Sequence, residues 1–432
     1  MGDDRHIPAG RWSRLARLAT TGARLGASRW VGANGEAAAA GVAETLGTMR
    51  GLAAKVGQLA SYVDGLVPEA DDAPLPRALA ALRTAAPSSP PGAIRTLLES
   101  ELDGPLEERF DRFEEQPFAS ASIGQVHRGW LDDGTEVAVK VQHPGIAEAL
   151  ESDLRNATLL ERLLGSAVGP NFHTKQLLRE ARERFREELD YRHEAAQQER
   201  FAELHAGDER IEVPAVVQSH STSRVLTTVM ARGQTFEQAC RAAGAERRAW
   251  AATLWRFVFR SALVGGLFNA DPHPGNYLFR PDGAVTFMDF GCVERFSPPR
   301  HRAAVAVHVA ALDHDEEAFS QGARDFLEPE PGTHAELAVA FKRRCFEPIF
   351  DSPYRITRPY VASLVQELRR SAAQARRLEQ GQVAPLPEGV LFMNRLQFGF
   401  YSVMARLDVE VDFAGIERPF IDAAAEAAAA RS

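Results

Sequence analysis

Between positions 271 and 291 the chain reads Asp271-Pro-His-Pro-Gly-Asn276, Tyr277-Leu-Phe279, Arg280-Pro-Asp-Gly283, Ala284-Val-Thr-Phe-Met288 and Asp289-Phe-Gly291. Two short apolar runs around a Pro-Asp-Gly turn predict a strand-turn-strand. Such a unit returns the second strand to the start of the first, so Asp289 comes back beside the loop that holds Asp271 and Asn276. An acid, an amide and a second acid must then share one end of a small sheet. That demand narrows the architecture more than composition does.

The chemistry that fits this spacing is phosphoryl transfer. It needs metal ions to bridge phosphates and a carboxylate beside the incoming nucleophile. Protein kinases place an Asp and, five positions later, an Asn on one loop, and a second Asp opens an Asp-Phe-Gly. Asp271, Asn276 and Asp289 keep that order. Either half alone would be a chance turn; the two together at this spacing favour a nucleotide site. Val137-Ala-Val-Lys140 adds a lysine at the end of an apolar strand. A lone lysine there is usually a solvated edge residue. This one follows a predicted hairpin, with strands near 124–131 and 136–142 around Asp132-Asp133-Gly134, and it can reach phosphates as a point charge. Its carboxylate partner is sought in Arg186–Glu194, where Glu188, Asp190 and Glu194 are candidates, each of which taken alone is an ordinary solvated helix acid. On one continuous helix Asp190 and Glu194 lie near one face and Glu188 well round from them. The loop before the lysine reads Ala119, Ser120, Ala121, Ser122, Ile123, Gly124, Gln125, Val126 in place of a glycine-rich run. Small residues still allow close approach to phosphates and the serines offer donors, but positive φ is much less accessible, so a stiffer loop is expected.

Around this centre the 432 residues divide by texture. Residues 36–63 and 92–102 have helical periodicity and Pro-rich breaks between them, so 1–110 reads as an α-helical extension. Strand signals run from 113 to 142 and return at Ala215–His220 and Arg224–Met230, with long helix patterns at 146–165 and 174–205. From there on the pattern is mostly helical; Phe257–Phe268 reads as a buried helix, and Arg395–Asp408 as an amphipathic core helix. A net charge of -9 excludes a surface built to coat nucleic acid. Cys240, Cys292 and Cys345 are too few and too scattered for a disulfide framework, which points to a reducing, cytoplasmic setting. No transmembrane run is present, although the basic stretch Arg5–Arg29, with Trp12 and three leucines, allows peripheral membrane contact.

These motifs together resemble the ADCK/UbiB atypical kinases, a family associated with coenzyme Q biosynthesis and lipid homeostasis. Lys55-Val-Gly57-Gln58 is similar to its K-x-G-Q motif, Ala119 to His127 to its alanine-rich loop, and Glu188-Leu-Asp190 to its E-x-D. Asp271–Asn276 with Asp289-Phe-Gly291 is similar to its D-P-H-P-G-N and DFG. The resemblance spans about 40–300. It implies an α+β, protein-kinase-like two-lobed fold: a helical extension (1–110), a small β-rich N-lobe (111–232) and a helical C-lobe (233–432). It implies ATP and Mg2+ as cofactors, with Lys140 on the phosphates and paired to Glu194, Asn276 and Asp289 on magnesium, and Asp271 as catalytic base. Met230 marks the adenine-contacting hinge, where the family more often has an acid. Lys55, Gly57 and Gln58 cover the site, with Lys55 near Glu188 or Asp190, in a regulatory role. The implied function is a kinase or ATPase supporting isoprenoid quinone or membrane-lipid metabolism, with a lipid or quinone-precursor ligand. The alternatives are a small-molecule kinase of the aminoglycoside or choline kinase type, and a nucleotide-gated adaptor.

Overall fold

The computed structural model describes residues 89–121, 123–148, 187–328, 333–378 and 390–429. Lys55, Gly57, Gln58 and Ser122 lie outside them, as do most of the expected helical extension and the 146–165 pattern. Two compact units form: one runs to Arg192 and includes Val217–Thr228, the other comprises His193–Val216 and Val229 onward.

The first unit opens with α1 (Pro91–Glu101) and the short α2 (Leu106–Arg109). Pro91 suits the first turn of α1, where no amide proton is needed, and α1 ends before Asp103, which turns the chain through a left-handed φ of 56°. The sheet comprises β1 (Arg112–Phe113), β2 (Ala119–Ser120), β3 (Gly124–Trp130), β4 (Glu136–Gln142) and β5 (Val225–Val229), in the order β1-β3-β4-β5 with β2 also on β3. The β3–β4 hairpin forms as the Asp-Asp-Gly turn predicts, with Val126 opposite Lys140, and Gly134 takes φ 80°. Val137, Val139 and Val141 alternate into a core with Ile94, Leu97, Leu98, Phe110 and Val225. Lys140 therefore falls on the opposite face of β4.

In the second unit, α3 (Tyr191–Leu204) contributes from His193 onward. It is followed by α4 (Phe236–Ala239), α5 (Gly244–Leu263), β6 (Leu267–Asn269), β7 (Tyr277–Phe279), β8 (Val285–Phe287) and β9 (Val293–Arg295). The predicted strand-turn-strand is the β7–β8 hairpin, with Tyr277 opposite Phe287; Ile211–Glu212 adds in parallel to β8, and β9 pairs with β6. Then come α6 (Pro298–Leu312), α7 (Glu316–Leu327), α8 (Thr333–Cys345), α9 (Glu347–Phe350), α10 (Arg358–Leu378), α11 (Val390–Leu407) and α12 (Phe413–Ala429). The core centres on α5. Trp255 is fully buried, lies 4.0 Å from the Phe413 ring, and donates through its indole nitrogen to Glu417 Oε1 at 2.8 Å. Phe400, Tyr401, Val403 and Met404 of α11 are buried too, so the expected core helix is present.

Three local expectations are corrected. The helix expected over Phe257–Phe268 ends at Leu263; Gly266 turns the chain with φ 63° and Leu267–Asn269 is strand. Ala215–His220 is not a strand: Val217 N donates to Thr227 O and Val229 N to Ala215 O, but Gln218–His220 closes into a 3-10 turn. The described part of the Arg186–Glu194 segment, from Glu187 on, is not one helix. The chain leaves helix at Leu189, and Asp190 instead uses Oδ1 to accept from Arg192 N at the start of α3. A short acid competes well with the helix for backbone donors, which is why it starts helices more readily than it continues them.

Candidate active site

The Asp271–Asn276 loop leaves β6 and enters β7 through a 3-10 turn at Pro274–Asn276. Its shape is held by its own polar side chains. Asn269 Oδ1 accepts from Asp271 N at 2.9 Å, and Asn269 Nδ2 donates to Asp289 O at 2.8 Å. One amide thus ties together the backbones of both acids. Asn276 Nδ2 donates to Asp271 O at 3.1 Å, and Met288 N donates to Asn276 O at 2.9 Å. His273 Nδ1 accepts from Gly275 N, which sets that nitrogen as the unprotonated one. Under the loop, Tyr277 is buried; that burial, with the Asp271 charge adding to it, pushes its hydroxyl above the ordinary range. Across the loop, a Cβ on Gly399 of α11 would lie 2.6 Å from Pro272 Cγ, so this glycine lets the helix approach.

Asp289 is exposed at φ 62°, a left-handed conformation uncommon for a residue with a side chain. Three contacts over-determine it. Asn269 holds its carbonyl, Gly291 N donates to its Oδ1 at 3.2 Å, and Phe290 is sunk into the core 4.9 Å from the Phe201 ring of α3. A Cβ on Gly291 would sit 3.3 Å from Asp289 Oδ1 and 3.7 Å from Glu194 Oε2. The Glu194 carboxylate, on α3 and only 7% exposed, thus converges with Asp289. The site's donors are carboxylate and amide oxygens: Asp289, Glu194 nearby, and Asn276, whose Oδ1 is the end not spent on Asp271. Hard oxygen donors of this kind suit magnesium, so the residues present fit that ion.

In the first unit, Lys140 Nζ stands 5.1 Å from the centre of the Tyr191 ring. Ala119 and Ser120 are exposed on β2, and Ala121 follows them with its N donating to Gly124 O. Ile123, Gly124 and Gln125 instead point into the unit. Gln125 Oε1 accepts from Ser89 N at 2.7 Å, and its Nε2 meets His127 at 2.9 Å. A Cβ on Gly124 would fall 2.3 Å from Val141 O and 2.9 Å from the Tyr191 hydroxyl. This glycine serves sheet packing rather than loop freedom. Glu188 is half-buried beside Asp190, and Met230 is half-buried just after β5. The predicted residues thus divide: Asp271, Asn276, Asp289 and Glu194 lie in the second unit with Met230, and Lys140 with the loop, Glu188 and Asp190 in the first. Sequence reasoning passed over Asn269. Its signal was a polar residue closing an apolar strand two positions before the acid.

Known proteins with a similar sequence or fold place the chain in a family. The ABC1 atypical kinase-like domain matches residues 81–322, more than half of the chain. The rat atypical kinase COQ8B, mitochondrial, is 30% identical over 435 residues, covering 94% of this chain and 80% of that protein. The Caenorhabditis elegans atypical kinase coq-8, mitochondrial, is 27% identical, covering 88% of this chain and 50% of that one. Among solved structures, a complex of Rv3197 with erythromycin from Mycobacterium tuberculosis has a TM-score of 0.59 at 26% identity, covering 85% of this chain and 91% of that one. The fold is therefore kinase-like, with an antiparallel sheet in one unit and helices dominating the other. With its D-P-H-P-G-N loop and DFG knit together by Asn269, the chain belongs to the ABC1 atypical kinase-like family, the ADCK/UbiB group.

Proposed function

We propose that the chain binds ATP with Mg2+ and turns it over as an atypical kinase or ATPase in support of isoprenoid quinone or membrane-lipid metabolism. The observation that carries this reading is the convergence of the Asp289 and Glu194 carboxylates beside Gly291, with Asn269 fixing Asp289 and Asp271 from behind. Bound magnesium would neutralise charge on the phosphates. Asn276 and Asp289 would hold it, and Lys140, for which the family resemblance implies Glu194 as partner, would contribute an ammonium to the phosphates. Asp271 accepts the proton of the attacking hydroxyl or water as the new P–O bond forms and the bond to the leaving phosphate breaks. By the same resemblance, the loop Ala119, Ser120, Ala121 and Ser122 would offer its backbone amides to the nucleotide, and the segment ending at Met230 would serve as adenine hinge. The Ile123 to Gln125 stretch shapes the loop from within. The quinone assignment rests on the family's association with coenzyme Q and on the COQ8 relatives. Lys55, Gly57, Gln58, Glu188 and Asp190 are read as regulatory, a cover that disfavours large protein substrates.

The test is ATP hydrolysis by the purified chain with magnesium, with and without anionic-lipid vesicles and a ubiquinone-precursor mimic. Activity that rises with lipid or phenol and falls by at least about a hundredfold in Asp289→Asn is expected, since a metal ligand is removed. Asp271→Asn should bind nucleotide yet lose turnover. Nucleotide binding without hydrolysis in the wild type would replace the enzyme by a nucleotide-gated adaptor.

A further inference from the structure

The second unit contains an apolar cavity of about 90 Å³ that none of the candidate active-site residues line. Its walls are mostly ring faces, among them Trp255, Phe259, Phe296, Phe326, Phe346 and Phe400. Two basic side chains interrupt them. Lys342 of α8 is half-buried, with Nζ 4.8 Å from the Phe326 ring centre and 5.1 Å from that of Phe346. Among the described residues no carboxylate lies within ion-pair distance of it; two ring faces are its compensation. Burial lowers its basicity, opposed weakly by Cys345. The second group, His308 of α6, is spoken for on one side: Nδ1 bonds Glu417 Oε2 at 2.6 Å, and Glu417, fully buried, also accepts from Trp255. That leaves Nε2 as the remaining polar atom of His308. The Tyr401 hydroxyl and the Gln397 amide both donate to Cys345 O, at 2.7 and 3.5 Å, so these wall groups are already occupied.

An ammonium among rings without a counter-ion is costly, and an anion bringing its own apolar body would offset that cost while covering the ring faces. We propose that this cavity binds a small amphiphilic carboxylic acid, with its hydrocarbon part against Trp255, Phe259 and Phe400 and its carboxylate at Lys342. The binding involves no phosphate chemistry, so it stands or falls apart from the ATP reading.

Isothermal titration of the full chain with hexanoate, hexanol and hexylammonium tests it. Hexanoate should bind about tenfold tighter than hexanol, and hexylammonium weakest, as one charge-assisted contact predicts. Lys342→Met should bring hexanoate and hexanol to parity, and Ala304→Leu, which fills the cavity from its wall, should abolish both. Equal affinities in the wild type, a preference that survives Lys342→Met, or binding unaffected by Ala304→Leu would each overturn the proposal. Absence of binding by all three amphiphiles would overturn it too; the chain itself would then fill the cavity. The comparison of ligands on the wild type needs no variant to fold.

Discussion

Asn269 shows how one amide can do the work of two. Its oxygen fixes the start of the Asp271 loop and its nitrogen fixes the carbonyl of Asp289, so one neutral side chain sets the mutual placement of both acids. Asn269→Ala should lower ATP turnover by about 10–100-fold, the usual cost of removing a group that orients a ligand. Thermal unfolding should shift by only a few degrees, because each lost bond is worth about 1 kcal/mol. Unchanged turnover would show that Phe290 and Gly291 position Asp289 unaided. At this scale the sequence was most legible where chemistry forces residue identity: Asp271, Asn276 and Asp289 could be picked out by spacing. Asn269 could not, because a strand-end asparagine is common and its two partners are distant in the chain or backbone atoms.

Glycines that look alike in a motif separate once elements pack. Gly124 sits in a phosphate-loop position by sequence, yet in β3 it lies directly under the Val141 carbonyl and the Tyr191 hydroxyl. Gly124→Ala should destabilise the chain by about 1–3 kcal/mol, the cost of forcing atoms into a packed core, measured by urea unfolding. Gly399→Val should act differently. Its side chain would press on Pro272 through α11, displacing the Asp271 loop, so turnover should fall while nucleotide affinity stays within about threefold. The two hairpins were readable because turn chemistry and alternation are local. The break at Leu189–Asp190 and the helix end at Leu263 were not. Helical periodicity runs across both, and only the Asp190 cap and the Gly266 turn decide where it stops.

For the molecule as a whole, acid should be destabilising through one buried imidazole. His205 is 3% exposed, bonded to Ser261 Oγ at 2.9 Å, and its pKa is lowered to about 3 by burial, with the Arg260 charge adding to it. The unfolded chain takes up that proton near 6.5 and the folded chain does not. As pH falls below about 6.5, the unfolded state gains a proton that the native state refuses, and stability drops by up to roughly 1.4 kcal/mol per pH unit from this group. Above that pH the group contributes no slope. Denaturant unfolding of the wild type and His205→Gln between pH 4.5 and 7.5 should show a shallower acid slope in the variant; parallel curves would assign the slope to other groups. By itself the sequence determined the hairpins, the helix-rich remainder, the family and the order of the acid, amide and lysine, because those follow from turn residues, periodicity and spacing along the chain. Tertiary structure alone decided that Glu194 meets Asp289 beside Gly291, that Asn269 binds both acids, and that Lys342 stands among aromatic rings. Each of these depends on at least one contact between residues distant in the sequence, Glu194 with Asp289, Asn269 with Asp289 and Lys342 with Phe326, and such pairings are set by how whole elements pack rather than by any local pattern.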